Sequence, residues 1–264
     1  MFKPSTIDLE IKHNVATITI RSEKQMNLLS TPATDQLLRV GNELMQNKRV
    51  RLVVLTGEGD RAFIAGKDIN EMAGYRDGVM ALNSITKTHM ACHLFRALPV
   101  PSIARINGYC LGAGLELAAC CDIRVGADHS QYGMPEVQLG RVSVVEASVL
   151  PSLIGFGNTR ELLYRGTMVD AATAHRWGFL NRVAPLADLD AAMQPIVDDI
   201  LAAEPNAVRA QKRLIESWLD DTGVVAGVQA GIDVVVQTHL AGHTTSRVKD
   251  LLARKGKGKG IRKR

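Results

Sequence analysis

The run Ala104–Glu136, ARINGYCLGAGLELAACCDIRVGADHSQYGMPE, decides how the rest of the chain is read. It opens with an apolar stretch ending at Ile106, breaks at Asn107-Gly108 and again at Leu111-Gly112-Ala113-Gly114, and then enters Leu115-Glu116-Leu117-Ala118-Ala119. That order reads as strand, turn, helix. Glycines at a helix start let a ligand approach bare backbone N–H groups, where the helix dipole favours negative charge. Glu116 falls in the first or second turn of this helix, and its neighbours are apolar, which argues against a casually exposed glutamate. A salt-bridged or surface Glu116 is the competing reading. Glu136 follows twenty residues later, just after Met134-Pro135. Taken alone it is as readily a loop glutamate favoured by a helix N-terminus. Together, an anion-stabilising turn and two carboxylates make an acid–base site.

Working outward, Ser102–Ile106 reads as the strand feeding this run, and Pro99 and Pro101 stop a loosely periodic helical region over 74–98. Before it lies Ala62–Met72, AFIAGKDINEM, where Ala65-Gly66 gives a tight bend and Asp68 reads by itself as an N-cap. Ile7–Lys12 and Val15–Ile20 read as a β-hairpin about His13-Asn14. A helix is expected after Ser30, with Thr31 as N-cap and Pro32 at the first helical position, followed by a buried strand over 51–56. Downstream, 122–127 reads as a strand. Short helices are expected over 149–153, 160–164 and 170–177, with Gly155, Gly157, Gly166 and Gly178 as stops. A last strand is expected over 180–184, then longer helices over 189–203, 205–218 and 224–240. The alternation of strand and helix predicts an α/β fold.

Composition narrows the function classes. The chain has 264 residues, 46% of them hydrophobic but only 4% aromatic, so its core is aliphatic. Arg105, Asn107 and Glu116 interrupt the longest apolar candidate for a membrane span, and the first fourteen residues lack a signal-peptide core. Cys92, Cys110, Cys120 and Cys121 show no metal or redox spacing and read as reduced thiols of a cytoplasmic protein. The formal charge of +5 is a tail property. Residues 254–264 carry seven Lys or Arg and no acid, and +5 minus seven leaves −2 for the remainder. Of the seven histidines only His89 and His93 stand at i, i+4, with no acid or cysteine partner evident in sequence, so no metal is expected. GxxxxGK[ST] and GxGxxG are absent, which leaves phosphoryl transfer and dinucleotide redox chemistry without support.

The AFIAGKDI segment, Asn107-Gly108, the run Gly112–Leu117 and Gly133-Met134-Pro135-Glu136 resemble, in this order, the signatures of the enoyl-CoA hydratase/isomerase (crotonase) family. The resemblance implies a core of ββα spiral turns over 1–194 and a C-terminal helical oligomerisation region over 195–253; Gly256, Gly258 and Gly260 interleave the charges of 254–264 and favour a flexible basic tail, the alternative being that its lysines and arginines reach phosphate from a neighbouring subunit. It implies homotrimers or homohexamers and an acyl-CoA thioester as the small-molecule substrate, with CoA part of that substrate and no separate cofactor. By the same resemblance the backbone N–H groups of Lys67 and Ala113 form an oxyanion hole, with the Lys67 side chain turned outward or to CoA. Lys24 and Arg61 stand at positions that meet the nucleotide, and the backbone around Ala65, Gly66, Asp68 and Ile69 lines the adenine and pantetheine path. With Glu116 and Glu136 both present, the implied reaction is addition of water across the double bond of a 2-enoyl-CoA. Isomerase relatives often keep only the second carboxylate.

One stretch departs from the family. After the second glutamate, relatives carry a glycine-rich segment resembling PGAGGTQRL. Here the chain reads Gly140-Arg141-Val142-Ser143-Val144-Val145-Glu146-Ala147-Ser148. The valines are expected to narrow the pocket floor. Glu146 either starts a helix or faces the site, where its charge raises the pKa of a neighbouring carboxyl. The departure keeps sister reactions open, namely double-bond isomerisation, hydrolysis or decarboxylation. A different class, an RNA-binding protein using the basic tail, leaves the paired glutamates without a role and predicts salt-sensitive binding lost with the tail.

Overall fold

The structure is a computed structural model that describes residues 4–219, 232, 248–250, 252 and 253. Apart from residue 232, the helix expected over 224–240 lies outside the described residues, as does the basic tail 254–264.

Strands β1 (Thr6–Lys12) and β2 (Val15–Arg21) form the expected antiparallel hairpin, closed by His13 and Asn14 at φ 48 and 66. Helix α1 (Thr31–Gln46) is capped one residue earlier than expected. Ser30 is the N-cap, in extended backbone, and accepts the Ala33 N–H. Thr31 is held elsewhere: its N–H and hydroxyl both go to the Glu71 carboxylate. The chain continues through β3 (Leu52–Gly57), β4 (Ala62–Ile64), α2 (Ile69–Ala73), α3 (Gly78–Ala97), β5 (Ser102–Ile106), β6 (Tyr109–Leu111), α4 (Ala113–Cys120), β7 (Ile123–Ala127) and β8 (Gln131–Gly133). Two 3-10 turns, Pro135–Leu139 and Val145–Val149, lead into α5 (Leu150–Arg165), β9 (Met168–Asp170), α6 (Ala171–Arg176), β10 (Arg182–Ala184), α7 (Leu189–Ala202) and α8 (Pro205–Leu219).

Six strands form one sheet in the order β1-β2-β3-β5-β7-β10, parallel from β2 onward. A smaller sheet has the order β4-β6-β8-β9. Each pass of the chain lays one strand in the large sheet and the next in the small one: β3 then β4, β5 then β6, β7 then β8. Stacked passes of this kind, returned by helical segments, make a spiral. The main core lies on one face of the large sheet, with Ile18, Leu55, Phe63, Phe95, Ala104 and Leu117 among its buried residues. The opposite face packs Leu52, Val54, Ile103 and Val125 against Leu189 and Val197 of α7. Burial on both faces is why β3 reads as an unbroken apolar run rather than an alternating one.

Residues 150–165 hold two helical stretches, as expected, because Gly155 (φ 74, ψ 156) is non-helical; Gly157 does not stop the second, which Gly166, left-handed at φ 58, ends. The three-residue strands β4, β6, β8 and β9 are too short to show a period in sequence. Asn107 ties the passes together. It is fully buried, donates to the carbonyls of Gly57 (2.9 Å) and Gly59 (2.6 Å), and accepts the Gly57 N–H (3.3 Å).

Candidate active site

The site forms where β4, β6 and β8 deliver the chain to helical segments. After β4 the chain bends at Gly66 (φ 98) and pairs alongside Leu29. The Leu29 N–H goes to the Gly66 carbonyl and the Asp68 N–H to the Leu29 carbonyl. This parallel pairing uses the residues on either side of Lys67 and leaves its own N–H facing the other way. After β6, Gly112 adopts φ 51 and ψ −123 and precedes α4. Ala113 is the first helical residue, so its N–H has no carbonyl one turn back to donate to. After β8, Met134 leads into the turn whose first loop carries Glu136.

These three segments meet. A Cβ on Gly112 would lie 2.6 Å from Glu136 Oε1 and 3.9 Å from the Gly66 Cα, and one on Gly66 would lie 3.3 Å from the Leu111 carbonyl oxygen. Only bare glycine backbone fits between the two bends and the carboxylate. Gly114 is equally constrained, since its Cβ would lie 2.1 Å from the Ile64 carbonyl oxygen. That contact presses the N-terminal turn of α4 against β4.

Glu116 lies one turn into α4, 5% exposed, with Oε1 buried and unpartnered. Burial raises its pKa well above the ordinary carboxylate value, and the charges of Glu136 and Glu146 raise it further; the Ala147 backbone and Arg141 oppose them. Glu136 is half-buried and accepts from the Ser143 hydroxyl at 3.0 Å. Burial raises it too, against its own backbone N–H, Arg141 and Ser143. The two carboxyls therefore titrate as a coupled pair.

Glu146 satisfies both sequence readings. It sits in the first turn of Val145–Val149, and it is fully buried beside the site, close enough for its charge to act on Glu116. Its Oε1 lies 2.8 Å from His89 Nδ1 on α3, while its Oε2 has no partner. The expectation that His89 has no acidic partner is thereby corrected. The two residues stand 57 positions apart, so no local spacing reveals the pair. The signal that drew attention to Glu116, an acid among apolar neighbours, was present at Val144-Val145-Glu146-Ala147 as well. Among the described residues no group of three His, Cys, Asp or Glu is placed to hold a metal ion.

The Lys67 side chain turns neither outward nor to a ligand path. Its ammonium reaches α3, donating to Thr88 Oγ1 (3.1 Å) and the Ser84 carbonyl (3.5 Å), and burial pushes it down to about 8. Asp68 is buried and caps α2 by accepting the Asn70 N–H at 2.9 Å. Ile69, half-buried, opens that helix. The Ala65 N–H is taken by the Met26 carbonyl. Lys24 and Arg61 are exposed, on loops that touch where Glu23 packs against Gly59. Beyond Ser143, a cavity of about 360 Å³ is lined by Val144, Val145, Ala147, Phe156 and Leu163, with Arg160 among its polar residues. The four cysteines are buried, and burial raises each thiol.

Comparison with known proteins meets this arrangement from outside. The chain is 32% identical over 210 residues to a crotonyl-CoA hydratase of Syntrophomonas wolfei subsp. wolfei, covering 78% of this chain and 79% of that protein. It is 29% identical over 239 residues to a short-chain-enoyl-CoA hydratase of Clostridium acetobutylicum, covering 88% and 85%. The crystal structure of an enoyl-CoA hydratase from Bacillus anthracis superposes with a TM-score of 0.79 at 30% identity, covering 96% of each chain. The family described as enoyl-CoA hydratase/isomerase matches residues 10–250. The spiral of ββ passes is thus the crotonase fold expected from the sequence, and the chain belongs to the enoyl-CoA hydratase/isomerase family.

Proposed function

We propose that this enzyme hydrates a 2-enoyl-CoA thioester. The observation that carries the reading is the convergence on Gly112 of the Gly66 bend, the start of α4 and the Glu136 carboxylate, with Glu116 one turn further along the same helix. The thioester oxygen sits between the N–H groups of Lys67 and Ala113. Two fixed donors stabilise the enolate as it forms, and losing one such donor typically costs about 3 kcal/mol of barrier. Water held by Glu116 and Glu136 attacks the β-carbon. Glu116 takes a proton from the water and Glu136 gives one to the α-carbon. Burial raises both carboxyls and the Glu136 charge raises Glu116 further, so the two hold a proton as a coupled pair, and the reaction draws on the state with that proton on Glu136.

Lys24 and Arg61 meet the CoA phosphates from the exposed rim. The acyl chain runs toward the cavity beyond Ser143, where Val144 and Val145 line the wall. Relatives named for short-chain and crotonyl substrates support this reading. The chain works as a homotrimer or homohexamer, with exposed Val79 and Met90 among the apolar residues available for contact. The test follows the absorbance of the conjugated thioester of crotonyl-CoA and of a longer 2-enoyl-CoA. Loss of the band with wild type, abolished in Glu116→Gln and Glu136→Gln, is the expected result. Persistence of the band with both substrates, or a shifted double bond by product analysis, rejects hydration in favour of a sister reaction.

A further inference from the structure

On the second stretch of α5, Phe156, Thr159, Arg160, Leu163 and Tyr164 fall at i, i+3, i+4, i+7 and i+8. That spacing puts them on one face of the helix. An apolar face of this kind ordinarily packs into the core, yet Phe156 and Tyr164 are 65% and 77% exposed. All five residues line the cavity of about 360 Å³ beyond Ser143, together with Val144 and Val145. A volume of this size suits a small-molecule group. It is far more than the single methyl that a crotonyl chain carries beyond its double bond. Ser143 joins the cavity to the site, because it lines the one while its hydroxyl donates to the Glu136 carboxylate of the other at 3.0 Å.

The polar groups of this lining are unevenly engaged. The Ser148 hydroxyl donates to the Val145 carbonyl at 3.1 Å and the Thr159 hydroxyl to the Gly155 carbonyl at 2.8 Å. Arg160 differs. Its guanidinium lies 5.5 Å from the centre of the Phe156 ring, one turn back, and this contact restrains its plane. Glu161, the neighbouring acid, projects from another face and pairs with Arg165. Among the described residues the Arg160 guanidinium has no acid, hydroxyl or carbonyl partner. An alkyl chain gains nothing from unengaged N–H donors in its pocket wall. A carboxylate takes two of them in parallel. The cation also offsets the repulsion that a carboxylate tail meets beside Glu136.

We propose that the cavity selects a 2-enoyl-CoA whose acyl chain ends in a carboxylate, and that Arg160 is the specificity-determining residue that binds this carboxylate. The inference rests on the hydratase reading and deepens it. The thioester and double bond stay at the oxyanion donors and the two glutamates. The chain passes Ser143, its apolar middle lies against Val144, Val145 and Leu163, and its end meets the guanidinium fork.

The test measures kcat and KM on three thioesters built on one six-carbon chain. They are trans-2-hexenoyl-CoA, trans-2-hexenedioyl-CoA, which ends in a carboxylate, and the methyl ester of the latter, which removes only the charge. Wild type is expected to favour the diacid over its ester in kcat/KM by about tenfold to hundredfold, chiefly through KM. Arg160→Met keeps an apolar stem against Phe156 and brings this ratio to about one. Arg160→Lys keeps the charge without the fork and retains part of the ratio. Because the ratio is taken within each protein, a smaller folded fraction does not alter it. A wild-type ratio near one, or a ratio that Arg160→Met leaves unchanged, overturns the assignment while hydration of hexenoyl-CoA stands. An equal loss on all three thioesters in Arg160→Met places Arg160 against CoA and overturns it as well. So does an altered elution volume of Arg160→Met with its ratio intact, which makes the stripe a subunit contact. A wild-type enzyme that hydrates neither these thioesters nor crotonyl-CoA overturns the reading beneath it.

Discussion

Gly112→Ala probes the site with a single carbon. Gly112 has φ 51 and ψ −123, a backbone region that side-chain-bearing residues avoid, at a strain of about 1–3 kcal/mol. The new Cβ would sit 2.6 Å from Glu136 Oε1, roughly 1 Å short of ordinary contact. The carboxylate must retreat, and its 3.0 Å bond from the Ser143 hydroxyl must stretch or break. A misplacement of about 1 Å at a reacting group costs on the order of 100-fold in rate. Two other glycines separate the strain from the clash. Gly155 also has positive φ, 74, but its Cβ would meet nothing within 4 Å, so Gly155→Ala carries the strain alone. Gly114 has no positive φ, and its Cβ would strike the Ile64 backbone at 2.1 Å, so Gly114→Ala carries a backbone clash alone. Urea midpoints and initial rates on crotonyl-CoA are measured for all three. Gly112→Ala is expected to lose stability comparably to Gly155→Ala and to lose about two orders of magnitude in kcat, which Gly155→Ala keeps. Full activity in a folded Gly112→Ala enzyme would show that Glu136 does not need the position it holds beside Gly112.

Glu116→Gln is expected to be more stable than wild type at neutral pH, by about 1–3 kcal/mol, because the unfolded wild-type chain gains from ionising this carboxyl in water and the amide chain does not. The sign follows from its raised pKa. Above the ordinary value of 4.5 the unfolded carboxyl ionises while the folded one keeps its proton, so wild-type stability falls with rising pH until the folded group also ionises. Urea midpoints at pH 5 and pH 8 should therefore diverge between the two proteins, and a constant difference would contradict the burial argument. Asn107→Ala removes the donor to Gly57 and Gly59 and the acceptor for Gly57, and should cost roughly 2–4 kcal/mol with KM preserved in the folded fraction. Lys212→Met strips the buried ammonium that meets Asp122 at 2.7 Å and the Phe95 carbonyl at 3.0 Å. A loss of about 3–5 kcal/mol by chemical denaturation is expected.

What was legible in the sequence divides along physical lines. The run through Gly112 could be read because its signal is local: glycines mark the turn, and apolar residues on every side of Glu116 mark a helix with all eight residues buried. Strand β3 could be read because burial on both faces leaves an unbroken apolar run. The small sheet could not, since three-residue strands have no period to detect. Nor could the backbone at Val145, because a β-branched residue is the last place to expect positive φ. Ser30 and Thr31 are both good caps, and the choice between them was made by Glu71, forty positions away in sequence. The meeting of His89 and Glu146 is of the same kind. Local chemistry wrote the segments, while the pairings that depend on the spiral bringing distant passes together stayed hidden.

The electrostatics then bear on why three carboxylates converge on one small volume. On the proposed reaction an enolate develops within reach of Glu116 and Glu136. Two ionised carboxylates there would oppose the charge they must help to form. The nearby lysine does not offset them, because the Lys67 ammonium is turned onto α3 and held by Thr88 and Ser84. The negative charge of the enolate is left to backbone N–H dipoles, which are fixed in advance and cost no reorganisation. Burial of Glu116 and Glu136 keeps a proton on the pair, so the site meets its substrate with less negative charge than a count of carboxyls gives. Glu146, paired with His89 rather than with a fixed cation, adds to that pressure on Glu116. The stability lost by burying these acids is therefore the condition for carrying a proton to carbon at neutral pH.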